Sequence, residues 1–81
     1  MDIQRIVGQN VRRYRLAAKL SQEELAKRLK DDVADQWFDQ AYVSRLESGH
    51  WNVTISTLWH VSRALGVTVA QLVEEPTPNG K

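Results

Sequence analysis

Gln40-Ala41-Tyr42-Val43-Ser44-Arg45-Leu46-Glu47-Ser48-Gly49 is the stretch whose reading decides the fold. Asp39 stands just before it, and an aspartate there predicts a helix start, because its carboxylate accepts from the free N–H groups of a first turn. Gly49 follows it and suits the left-handed conformation in which helices stop. Val43 and Leu46 fall three apart and define one buried face. Gln40, Ala41, Ser44 and Arg45 take the other side. Those side-chain types can read base edges in a major groove: glutamine pairs with adenine, arginine with guanine, and a small apolar residue meets the thymine methyl.

Upstream lies Leu20-Ser21-Gln22-Glu23-Glu24-Leu25-Ala26-Lys27-Arg28-Leu29. Ser21 and Glu24 are spaced as a capping box that opens a helix, and Leu25 and Leu29 give that helix an apolar stripe. A capped amphipathic helix, a connection and a second short helix form the outline of a helix-turn-helix. With Val11-Arg12-Arg13-Tyr14-Arg15 before this pair and Ala64-Leu65-Gly66-Val67 after it, the chain resembles the lambda-repressor-like (Cro, or XRE-type) DNA-binding family. The motifs follow in that family's order and span residues 3 to 74. One of them alone is weak; four in order are a strong signal.

The remaining pattern is helical throughout, so the expected fold class is all-α, a compact five-helix domain. Ile3, Val7, Val11, Tyr14 and Ala18 step by three or four along helix 1. Thr54 caps a helix from about Ile55 to Leu65, with Gly66 as its stop, and Thr68 caps a last short helix through Val73. The expected core is Val7, Val11, Tyr14, Leu20, Leu25, Leu29, Val43, Leu46, Leu58, Val61, Leu65 and Leu72. One domain is expected over residues 1–75, with 76–81, which contains Pro76, Pro78 and Gly80, as a mobile tail.

Composition sets the outer bounds. Eighty-one residues lie near the small end of what folds without staples. There is no cysteine, which removes disulfides and thiolate zinc sites. No apolar run approaches the roughly 20 residues of a membrane span, and no signal-peptide pattern opens the chain, so a cytoplasmic location is expected. The net charge is only +1, but its distribution is uneven. Residues 1–30 carry eight Lys/Arg against three Asp/Glu, residues 31–39 carry four Asp and no base, and residues 40–81 balance. The basic charge thus sits in the first two helices, where phosphate contacts are expected. Read without the motifs, Arg12, Arg13, Lys19, Lys27 and Arg28 are simply a solvated surface.

The resemblance assigns roles. Gln40, Ala41, Ser44 and Arg45 match the family's base-contacting positions. Gln22 matches the glutamine that meets a phosphate and braces the first residue of the recognition helix, here Gln40. Ser21, Gln22, Lys27, Arg28, Ser48, His50 and Asn52 are the expected phosphate contacts. Arg15 and Glu47 match a pair that often forms a partly buried ion pair, which marks them as scaffold rather than as DNA readers. The resemblance implies a regulator of transcription, with repression the expected direction, acting as a homodimer on a palindromic double-stranded DNA operator. The last helix, the end of helix 4 and Trp59 are the expected dimer surface.

Two departures from the family pattern stand out. The connection Lys30-Asp31-Asp32-Val33-Ala34-Asp35-Gln36-Trp37-Phe38 is several residues too long for the usual turn, although the POU-specific domain has a similarly lengthened one. Trp37 and Phe38 are expected to anchor it on the core, and its aspartates to keep it away from a duplex. Trp51 follows Gly49 closely, and packing, a dimer contact and a backbone contact all remain open for it. Lys19 stands where a glycine is common after helix 1.

Two other function classes compete. An enzyme is disfavoured: His50 and His60 lack carboxylates at metal-ligand spacing, Ser21 and Ser44 are accounted for, and no Gly-rich phosphate loop is present, so neither cofactor nor metal is expected. A protein-interaction module, an antitoxin or adaptor whose partner is a toxin or another protein, remains the alternative. Leu16 and the Trp37-Phe38 loop are its candidate surfaces.

Overall fold

The computed structural model describes residues 2–33, 38–50 and 52–75. These form α1 (Ile3–Ala17), α2 (Gln22–Val33), α3 (Gln40–Ser48), α4 (Ile55–Leu65) and α5 (Val69–Val73), and no strand occurs among the described residues. The all-α, five-helix expectation holds.

Each boundary has a local cause. The Asp39 carboxylate accepts from the Tyr42 N–H at 2.8 Å, and Gly49 ends α3 at φ 80°. Thr54 and Thr68 cap α4 and α5, and Gly66 stops α4 at φ 71°. Ser21 and Glu24 exchange the two bonds of the capping box, Glu24 N–H to Ser21 Oγ at 3.0 Å and Ser21 N–H to Glu24 Oε1 at 2.7 Å. Those bonds from Ser21, backbone first and hydroxyl second, with the Arg28 charge assisting, hold the Glu24 carboxyl below its ordinary value against a small desolvation effect. Helix α1 ends through Lys19, which adopts φ 61° while its N–H reaches Leu16 and the Leu20 N–H reaches Arg15. Only glycine enters that region without steric cost, which is why a glycine suits the position.

Val7, Val11, Leu25, Leu29, Val43, Leu46, Leu58, Val61, Leu65 and Leu72 form one core. Two expected members sit on its rim: Tyr14 and Leu20 are only half-buried. Tyr14 lies under the Arg13 guanidinium, 4.8 Å from the ring centroid, which draws it toward the surface. Ile3 is exposed, and Ala18 falls outside α1 as its C-cap. Ile6, Ala26 and Phe38 join the core instead, as does Asn10, whose amide donates to the Leu72 and Glu74 carbonyls at 2.9 and 2.8 Å and so ties down α5.

The long connection begins later than its composition implies. Lys30, Asp31 and Asp32 continue α2 as far as Val33. Asp32 turns onto α4, with His60 Nδ1 at 2.8 Å and Arg63 at 3.8 Å. Phe38 is buried and meets Tyr42 edge-on at 5.0 Å, the anchoring role expected of it. Trp37, Trp51 and the 76–81 tail lie outside the described residues.

Candidate nucleic-acid interface

Helix α3 packs on both α1 and α2. Val43 and Leu46 are its only buried residues, and two such side chains leave a nine-residue helix free to rock. Three further devices fix it. Gly8 of α1 lies so close that a Cβ there would stand 2.6 Å from the Leu46 carbonyl oxygen and 2.7 Å from that of Glu47. Gly49 lets the chain turn beside the backbone of Arg5. The third device is an ion pair.

Arg15, near the end of α1, meets Glu47 of α3 through two parallel bonds, Nε to Oε2 at 2.5 Å and Nη2 to Oε1 at 3.1 Å. Both side chains are nearly excluded from solvent, at 9% and 4% exposure, so the paired geometry matters more than it would at a surface. The remaining Arg15 nitrogen, Nη1, donates to the Leu20 carbonyl at 2.8 Å. The network continues outward. Gln22 Nε2 donates to Glu47 Oε1 at 3.1 Å, and Gln40 Nε2 donates to Gln22 Oε1 at 2.7 Å. No described buried side-chain nitrogen or oxygen lacks a hydrogen-bond partner.

Gln40, Ala41, Ser44 and Arg45 are all exposed along α3. Ser21 immediately precedes Gln22 in the chain; its oxygen accepts within the capping box, which leaves its O–H free to donate outward. Ser48 donates to the Arg45 carbonyl at 2.8 Å and lies 3.1 Å from His50 Nδ1. Asn52 is exposed and accepts from the Gln4 amide, joining the loop after α3 to the start of α1. Lys27 is exposed near Asp31 and lines a cleft with Glu23, Lys30, Asp39 and Gln40. Arg28 is exposed, and its Nη1 donates to the Ala64 carbonyl near the end of α4, 3.0 Å away.

Three contributors escape a reading of the sequence. Gly8 offers a signal, since an isolated glycine inside a helical pattern often marks a close approach. Lys30 is basic, but its place in the charged connection reads as loop. The bond from Gln22 to Glu47 has no sequence signal, because it joins residues 25 positions apart. Among the described residues, no three His, Cys, Asp or Glu side chains gather as a metal site, and no helix is long and apolar enough to cross a membrane.

Comparison with known proteins places these features in context. A helix-turn-helix family model matches residues 11–72. The "uncharacterized HTH-type transcriptional regulator y4dJ" of Sinorhizobium fredii is 39% identical over 82 residues, covering 99% of this chain and 97% of that protein. Control protein C.SmaI of Serratia marcescens is 37% identical over 73 residues, covering 90% and 79%. The crystal structure of the hypothetical transcription factor NHTF from Neisseria superposes with a TM-score of 0.79 at 33% identity, over 93% of this chain and 78% of that one.

Proposed function

The chain belongs to the Cro/XRE-type helix-turn-helix family of DNA-binding transcription regulators, and we propose that it represses by inserting α3, from Gln40 onward, into the major groove of a palindromic operator. It is not an enzyme, and its partner is DNA. In the proposed complex Gln40, Ala41, Ser44 and Arg45 meet base edges. Ser21, Gln22, Lys27, Ser48, His50 and Asn52 meet phosphate and fix the register of α3 on the duplex. Arg28 belongs to that set as well, through N–H groups other than the one that its Nη1 gives to the Ala64 carbonyl. Arg15 and Glu47 hold α3 in place.

The observation that carries this reading is the α3 face: four groove-reading side chain types, all exposed, with the first of them braced by Gln22. A homodimer matches a palindrome, placing two α3 helices about 34 Å apart, one turn of the duplex. Ile55 and Trp59 lie four apart on α4 and are 75% and 49% exposed, and Val73 of α5 is exposed as well. These exposed apolar side chains support association of two copies.

Selection of tight-binding duplexes from a random library, at physiological salt, tests the reading. A recovered palindrome with half-sites about ten base pairs apart is the expected result. Recovery of no motif, with weak binding that vanishes as salt rises, overturns base reading and turns attention to a partner protein at the exposed Leu16 of α1. Repression is then tested by placing the recovered operator across a reporter promoter.

A further inference from the structure

Glu47 is buried behind the reading face, yet two hydrogen bonds connect it to the first residue of that face. The chemistry of the chain is directional. A carboxylate paired to a guanidinium accepts hydrogen bonds and donates none. Gln22 must therefore point its NH2 at Glu47, 3.1 Å away, which leaves its carbonyl oxygen toward Gln40. That oxygen accepts only, so Gln40 must point its own NH2 inward, at 2.7 Å. What Gln40 then offers outward is its carbonyl oxygen and the second N–H of its amide.

We infer that Glu47 is a positioning residue for base recognition: acting through Gln22, it sets which end of the Gln40 carboxamide faces DNA. The inference rests on the proposed groove binding of α3. A free glutamine amide can turn over and present either end. With the end fixed, Gln40 matches adenine, whose major-groove edge carries an N6 donor and an N7 acceptor. It opposes guanine, whose O6 and N7 both accept and whose O6 would face the Gln40 oxygen. The Arg15–Glu47 pair thereby does more than join two helices, since it supplies the fixed acceptor from which the polarity propagates.

Arg15→Met with Glu47→Leu tests this because it replaces the ion pair by apolar side chains and so removes the fixed acceptor. Gln22 and Gln40 can still pair, but with either end of each amide, so Gln40 presents either end outward. Gln22→Met keeps the ion pair and simply releases Gln40. Library selection on the full chain compares wild type, Arg15→Met with Glu47→Leu, Gln22→Met and Gln40→Ala, the last marking the base position that Gln40 reads.

The expected wild-type result is adenine over guanine at that position. Arg15→Met with Glu47→Leu and Gln22→Met each move the adenine-to-guanine affinity ratio toward unity, by about tenfold. Melting curves establish that each variant is folded at the selection temperature, as an apolar pair in place of a buried ion pair is expected to be; the double variant tests Glu47, and Gln22→Met tests the link from Gln22 to Gln40. A wild-type motif that reappears unchanged in the folded variants overturns the relay and leaves groove binding standing. Absence of any wild-type motif overturns groove binding, and the specificity role of Glu47 falls with it.

Discussion

Replacing Gly8 by alanine separates two effects of opposite sign. In an isolated helix the change stabilises, since alanine is about 0.8–1.0 kcal/mol better than glycine in a helix interior. In this fold the new methyl meets backbone. It stands 2.6 Å from the Leu46 oxygen, 2.7 Å from the Glu47 oxygen and 3.0 Å from the Glu47 carbonyl carbon. Ordinary contact begins near 3.4 Å, so α1 and α3 must part by about 0.8 Å, the difference between 3.4 and 2.6 Å. No flexible side chain is available to absorb this, which places the cost at the upper end of the roughly 1–3 kcal/mol of overpacking. The net is a loss of about 2 kcal/mol. In a domain of this size that lowers Tm by about 8–16 °C.

Two measurements check the argument. Thermal unfolding followed by circular dichroism gives the stability change. Affinity for the selected operator, measured well below the variant's Tm, gives the effect of displacing α3, and it is expected to fall as well. A Tm equal to or above wild type refutes the reasoning, because it would mean that the two helices separate without cost and that helix propensity alone decides.

Arg15→Ala leaves Glu47 buried without its partner and is expected to cost about 3–5 kcal/mol; Arg15→Met with Glu47→Leu recovers most of that in a urea titration while losing base preference. Asn10→Ala removes the donors of the Leu72 and Glu74 carbonyls, costs about 1–3 kcal/mol, and makes the α5 amides the first to exchange with deuterium. Lys19→Gly relieves a left-handed residue at φ 61° and is expected to raise stability by up to about 1 kcal/mol, the αL penalty less the entropy of glycine. Glu24 has its folded pKa lowered below the ordinary 4.5, so its contribution is present above that value and disappears as pH falls through the lower folded value; Glu24→Gln removes this part of the acid sensitivity in Tm measured across about pH 3–6.

What was legible in the sequence followed from local chemistry. The ends of α3, α4 and α5 are written in Asp39, Gly49, Thr54, Gly66 and Thr68, each acting within a turn of itself. The exposed quartet on α3 followed from a three-residue spacing of Val43 and Leu46. The Arg15–Glu47 pair was legible only through the family resemblance, since 32 residues separate its members. The end of α2 was less legible: Lys30, Asp31 and Asp32 look like a charged loop, and helix continues there because Asp32 finds His60 and Arg63 on α4. The bond from Arg28 to the Ala64 carbonyl of α4 had no sequence signal, because basicity alone does not say which neighbour meets a guanidinium. Tyr14 and Leu20 have core spacing but lie at the edge of a core too small to cover them.

A small core also explains why the reading helix is held by polar groups. Nine residues of α3 bury only Val43 and Leu46, together worth about 3–6 kcal/mol of transfer free energy, an amount that favours contact without fixing direction. Hydrophobic burial is non-directional, and apolar contact alone would allow α3 to rotate about its axis by a few degrees at little cost. A groove-reading amide tolerates no such freedom. The close approach at Gly8 limits the separation, the Asp39 cap fixes the first turn, and the bidentate Arg15–Glu47 geometry fixes rotation. That is why the double apolar replacement of Arg15 and Glu47 is expected to restore stability yet lose base preference: a buried ion pair contributes less to net stability than a well-packed pair, but only the ion pair has a direction to pass on to Gln22 and Gln40.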